Sequence, residues 1–179
     1  MNNVRIRSAR QSDASAVQSV ARESWRAAYD DILDAETIER KLDEWYAVDE
    51  LADSIARPDG VFLLAADGAT GEDDAVVGFV QAGRAPEDDG SGPTPEDDTG
   101  DTYVLARIYV LPDRWGEGIG TRLLDQAIGA IRERGAATLR LGVFADNDAA
   151  VGFYEARGFE RVREKTSELG EEYVYVREI

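Results

Sequence analysis

Cysteine and histidine are both absent from this 179-residue chain. Their absence excludes disulfides, thiolate zinc sites, cysteine nucleophiles and any mechanism that rests on an imidazole base. Lysine is nearly missing too: the twenty basic residues include only Lys41 and Lys165, so eighteen are arginine. No apolar run approaches the roughly 18 residues that suggest a membrane span. The N-terminus also lacks the basic-then-apolar pattern of a signal peptide. These absences predict a soluble, untargeted, cytoplasmic protein. Its chemistry must use carboxylates, tyrosine, hydroxyls, Lys or Arg, backbone groups or water, and no metal is expected.

Acid is what the chain has in excess. Thirty-seven acidic residues give a formal net charge of −17. Such a charge repels nucleic acid and anionic membranes at long range, so neither is an expected partner. Dense carboxylates with scarce lysine fit a plain solvated acidic surface or adaptation to high salt, where screening removes most of the mutual repulsion. The composition favours the halophilic reading. The length suits one domain over residues 1–179 with a single ordinary core.

Periodicity divides the chain into α and β segments. Val4 to Arg7 alternates as a short strand. Ser12 or Asp13 then caps a helix to about Tyr29, with Ala16, Val17, Val20, Ala21, Trp25 and Ala28 as its apolar positions. Helical spacing returns over about Ala35 to Ala47 and, more weakly, Asp49 to Ile55. Strands follow at Val61 to Ala66 and Ala75 to Ala82, separated by a turn at 67–74. Residues 84–102 are rich in Asp, Glu, Gly and Pro and read as a mobile acidic loop between strands. A strand at Tyr103 to Val110, a helix at Ile119 to Arg134 closed by Gly135, and a strand at Ala137 to Phe144 come next. Asp146 or Asn147 caps a helix to about Arg157, closed by Gly158. Two strands, Phe159 to Lys165 and Glu172 to Glu178, end the chain around a turn near Gly170. The order β-α-α-β-β-β-α-β-α-β-β indicates an α/β protein with a mixed sheet flanked by helices.

The stretch Val110-Leu111-Pro112-Asp113-Arg114-Trp115-Gly116-Glu117-Gly118-Ile119-Gly120-Thr121 carries the most information. A strand, three alternate glycines and a helix start describe a nest of N–H groups aimed along a helix dipole, which suits phosphate. The same segment also reads as a purely structural turn. A P-loop would need Lys before Thr121, where Gly120 stands. A dinucleotide fingerprint would need Gly at position 121 and a strand running straight into the first glycine, so an oxidoreductase domain is poorly supported.

Two segments resemble the GCN5-related N-acetyltransferase (GNAT) superfamily. One is Ile108-Tyr109-Val110-x-Pro112 followed by Gly116-x-Gly118-Ile119-Gly120-x-x-Leu123-Leu124, similar to the family's acetyl-CoA pyrophosphate motif. The other is Val143-x-x-x-Asn147-x-x-Ala150-x-x-Phe153-Tyr154-x-x-x-Gly158-Phe159, similar to its second CoA-side motif. The resemblance implies a mostly antiparallel sheet of about seven strands with four or five helices, and acetyl-CoA as cosubstrate. It further implies direct acetyl transfer to a primary amine of a small molecule or protein. It assigns main-chain groups of Ile108, Tyr109 and Val110 to the donor's carbonyl and pantetheine arm, and residues 114–121 to the pyrophosphate. Tyr154 falls on the general-acid position, and Asn147 either caps its helix or meets CoA through water. Homodimers through the C-terminal strands are common in such folds.

The chain departs from the family pattern at two places. The Q/R position of the pyrophosphate motif holds Trp115, which still has a backbone N–H to offer, and Arg114 lies one residue early, as a phosphate contact or a solvated turn arginine. The strand before the loop has no carboxylate to serve as base. Glu23, Glu172 or a water chain could fill that role, and a non-catalytic acyl-CoA sensor is the alternative. Arg107 shares a strand face with Tyr109. It would favour an acceptor bearing carboxylate or phosphate, or else pair with a structural acid. Trp25 and Tyr29, at i and i+4, could wall the acceptor pocket or belong to the core.

Overall fold

Alternating and helical apolar patterns each resolve into the element they suggest in the computed structural model, which describes residues 4–68, 75–84, 102–167 and 170–179. Strand β1 is Val4–Ser8, and helices α1 (Ala14–Tyr29), α2 (Ala35–Trp45) and α3 (Val48–Ala56) follow it. Strands β2 (Gly60–Asp67), β3 (Ala75–Arg84) and β4 (Thr102–Val110) precede α4 (Ile119–Glu133). The chain closes with β5 (Thr138–Phe144), α5 (Asp148–Glu155), β6 (Glu160–Ser167) and β7 (Gly170–Glu178). Most of the acidic stretch, most of the turn after β2 and part of the turn before Gly170 lie outside the described residues.

The seven strands form one sheet in the order β1-β2-β3-β4-β5-β7-β6. β1 pairs antiparallel with β2, β5 with β7, and β6 with β7 across a bulge at Arg161/Arg163. β4 and β5 are parallel, as a helical crossover such as α4 requires. Their ladder covers only Thr102–Val104 against Thr138–Arg140, while β4 runs on to Val110. The outer strand β6 carries Glu160, Arg161, Arg163, Glu164 and Lys165, charges that discourage further strand pairing.

The chain divides into two compact units, Met1–Gln81 with Arg107–Ala127, and Ala82–Ala106 with Ile128–Ile179. In the first, α1 buries Ala14, Val17, Val20, Ala21, Ser24, Trp25 and Tyr29 at three- and four-residue spacing. Asp13 departs from the expected cap. Its carboxylate turns back to the Arg10 N–H (2.8 Å) and to Arg7 (2.8 and 3.0 Å), and the Arg7 guanidinium holds it below the usual carboxylate range. A 3-10 turn at Gln11–Asp13 leads into α1 instead. Asp34 does cap α2, accepting from the Thr37 N–H at 2.7 Å. In the second unit, Gly135 and Gly158 end their helices at φ +92° and +86°, the left-handed region expected of them. The Tyr175 hydroxyl, buried against the sheet, donates to Glu155 at 2.8 Å. No helix among the described residues is long and apolar enough to cross a membrane.

Candidate active site

β4 delivers the chain to the glycine turn through a tight series of local bonds. Leu111 N–H donates to Val77 O (2.8 Å), and Arg114 N–H and Trp115 N–H close a 3-10 turn onto Leu111 O and Pro112 O (2.9 and 3.2 Å). The Trp115 N–H is therefore spent on the turn, which corrects the expectation that it offers a backbone donor to phosphate. From Gly116 through Gly120, by contrast, no N–H is given to a backbone carbonyl among the described residues. Arg122 N–H closes a helical bond onto Gly118 O at 3.1 Å. Gly116 and Gly118 hold φ +85° and +80°, which a side chain would strain. Ile119 is buried and anchors the helix start, while Gly116, Glu117 and Gly118 are exposed. The result is a row of N–H groups with no backbone acceptor among the described residues, at the positive end of a 15-residue helix, which is chemistry that suits an anion.

Side chains brace this row. The Trp115 indole is 54% exposed, yet its Nε1–H donates to Val110 O at 2.8 Å. The same carbonyl accepts Ser24 Oγ–H at 3.2 Å, so α1 and the loop both grip the end of β4. Arg114 is half-buried and paired with acids. It donates to Glu117 (2.6 Å) and to Asp67 (2.6 Å), and these bonds, Glu117 foremost, raise its already high pKa. Thr121 lies in the first turn of α4.

Around Ile108, Tyr109 and Val110, all half-buried, unit one gathers aromatic rings. Trp25 meets Tyr29, Trp45 and Tyr46 at centroid distances of 4.7, 5.7 and 6.1 Å, and Tyr109 meets Tyr46 and Phe79 at 6.4 and 5.9 Å. Trp25 and Tyr29 are 2% and 4% exposed and stand in the core of this unit. Tyr46 receives the Trp25 Nε1–H at 3.2 Å and shares a hydrogen bond with Tyr109. Burial pushes its phenol pKa up, against the opposing pull of Arg107, so the phenol stays protonated. Arg107 pairs with no acid among the described residues. Its Nη2 donates to Trp45 O at 2.9 Å, and its guanidinium lies 4.6 Å from the Tyr46 ring centre. Lys41, also buried, lies over Trp45 and pairs with Glu44 at 3.3 Å.

In the second unit, Asn147 caps α5 by accepting the Ala150 N–H at 3.2 Å. Tyr154 is 8% exposed and packs edge-on against Phe153 and Phe159. Glu23 is exposed and Glu172 half-buried. No group of three or more acids able to hold a metal occurs among the described residues.

The family model described as acetyltransferase (GNAT) family matches residues 20–159, most of the chain. The chain belongs to the GNAT family. Membership makes it an acetyltransferase domain with acetyl-CoA as donor. The solved PaiA N-acetyltransferase of Thermoplasma acidophilum, in complex with coenzyme A, superposes with a TM-score of 0.80 at 25% identity over 98% of this chain and 99% of that one. A spermidine N(1)-acetyltransferase of the same organism is 27% identical over 88% of both chains. A mycothiol acetyltransferase of Nocardiopsis dassonvillei is 31% identical over 76% of this chain, which spans only about a third (34%) of that relative. Sequence reasoning missed Ser24, Tyr46 and Asp67. Ser24 left a signal, being a polar residue on the apolar stripe of α1. The others left none.

Proposed function

We propose that the protein transfers the acetyl group of acetyl-CoA directly to a primary amine. The observation that carries this reading is the unclaimed row of N–H groups from Gly116 to Gly120 at the start of α4, in a chain of this family. The donor's diphosphate lies on that row. Main-chain groups of Ile108, Tyr109 and Val110 hold the pantetheine arm and thioester carbonyl. Val110 acts through its N–H, since its carbonyl already accepts two side-chain donors. Arg114 reaches a phosphate only by exchanging Asp67 or Glu117 for it.

The acceptor nitrogen attacks the thioester carbon, the C–S bond breaks, and Tyr154 gives its phenolic proton to the departing thiolate. No Cys or His is present to carry the acetyl group, which agrees with direct transfer. The proton of the acceptor ammonium leaves through water, because β4 carries no carboxylate. Trp25 and Tyr29 set the wall behind Tyr46 and Tyr109 rather than touching the acceptor. The relatives named above are a spermidine N(1)-acetyltransferase and a mycothiol acetyltransferase, and an amine acceptor is the reading drawn from them for this chain. A sensor without turnover is not favoured by that company. The cytoplasm is the expected compartment, and adaptation to high salt is supported by the charge of −17 with two lysines.

Tyr154→Phe tests the mechanism. CoA affinity should hold while thiol release on an amine panel falls by about 10²-fold or more, the range for losing a general acid. Unchanged turnover would remove Tyr154 from the reaction.

A further inference from the structure

Three buried side-chain atoms of the first unit make no hydrogen bond among the described residues, Arg7 Nε, Gln81 Oε1 and Arg107 Nη1, and two of them belong to opposed strands. Arg107 Nη1 is sealed from solvent and bonds to nothing among the described residues. Gln81 Oε1 is in the same state. Leu111 N–H bonds Val77 O at 2.8 Å, the Cβ direction of Gly78 points at Tyr109 O and Val110 Cγ2, and Phe79 lies against Tyr109. This antiparallel register, continued along β3 and β4, sets Gln81 opposite Arg107. Directly opposed residues project from the same face about 5 Å apart.

The pairing is chemically specific. A guanidinium withdrawn from water needs a counter-ion, and a buried amide oxygen needs a donor. Arg7, Arg22, Arg26, Arg57, Arg114 and Arg161 all have carboxylates beside them. Arg107 has instead the Trp45 carbonyl, which closes the C-terminus of α2, and the face of Tyr46. Among the described residues this cation has no acid of its own, in a protein with seventeen excess negative charges. Both residues are only half-buried as wholes, and Arg107's unbranched stem lets the guanidinium turn toward a ligand.

We propose that Arg107 and Gln81 form an acceptor subsite selecting an amine that also carries a carboxylate. The carboxylate takes the Nη1 hydrogens of Arg107. Gln81 Oε1 takes an N–H of the acceptor amine or of the amide made from it. One carboxylate neutralises one guanidinium, whereas a phosphate dianion would overshoot and a polyamine would add like charge. This inference rests on the acetyl-transfer reading above and names its substrate class.

The test is thiol release from acetyl-CoA by the full-length protein with amino acids, their carboxamides, aminoalkyl phosphates and linear polyamines, alongside calorimetric CoA binding. The wild-type protein should favour each amino acid over its own carboxamide by at least about tenfold in kcat/KM. Arg107→Gln should erase that ratio through KM for the carboxylate acceptor, and Arg107→Lys should restore part of it. Equal rates on carboxamides, or a preference for polyamines or phosphates, overturns the subsite while leaving acetyl transfer intact. CoA binding without transfer to any amine overturns both.

Discussion

Replacing Trp115 with Phe removes one donor from the Val110 carbonyl and keeps most of the ring. The lost bond is 2.8 Å long and lies on an exposed side chain. Its net worth therefore sits within the ordinary range of about 0.5–1.5 kcal/mol rather than that of a buried charged bond. Ser24 Oγ, at 3.2 Å, still satisfies the carbonyl. If the clasp orders the donor loop, the free energy appears in CoA binding as a dissociation constant about two- to twelvefold weaker. Ser24→Ala alone should act similarly. Together the two changes leave the half-buried carbonyl with neither side-chain donor, which adds to the two single losses a desolvation cost of about 1 kcal/mol or more. The double variant should then lose more than the sum of the singles. Calorimetric titration of CoA into the four proteins, with urea melts to subtract stability, reads this cycle directly. Strict additivity, or an unchanged affinity in folded Trp115→Phe, would refute the clasp as a support of the donor site.

Gly118→Ala places a Cβ at φ +80°, where nothing crowds it and only the backbone conformation resists. A loss of about 1–2 kcal/mol is expected, read as weaker CoA binding together with a lower melting temperature. An alanine variant that binds like the wild type would show that the turn is not held in this conformation. Salt should stabilise the protein, because 37 acids against 20 bases repel one another and molar KCl screens them within a few ångströms. The melting temperature should rise steadily from about 0.1 to 1 M KCl, in which the Debye length falls from about 10 to 3 Å. A flat or falling curve would remove the salt-adapted reading.

Much of the fold could be read from local pattern. α4 shows why: Ile119, Leu123, Leu124, Ala127, Ile128 and Ile131 recur at helical spacing, and all are buried. The glycines at 116 and 118 were legible because this strand-to-helix turn needs positive φ. Capping was less legible. Asp13 looked like an N-cap, but Arg7 and the Arg10 N–H outbid the helix for its carboxylate. Arg114 read as a phosphate ligand or a solvent residue because Asp67, 47 positions earlier, gave no sign of reaching it. Strand alternation placed Arg107 and Tyr109 on one face, yet nothing in the pattern said that the end of α2 would meet them.

By itself the sequence determined the elements, the glycine turn and the family, since each depends on spacing within a few residues. The tertiary structure decided which side chains surround the loop and the β4 end: Ser24 on Val110 across 86 positions and Trp45 on Arg107 across 62. Helical and strand periods reveal which face of an element is apolar. They do not reveal which other element will cover it, because that is settled by strand order and register when the chain packs.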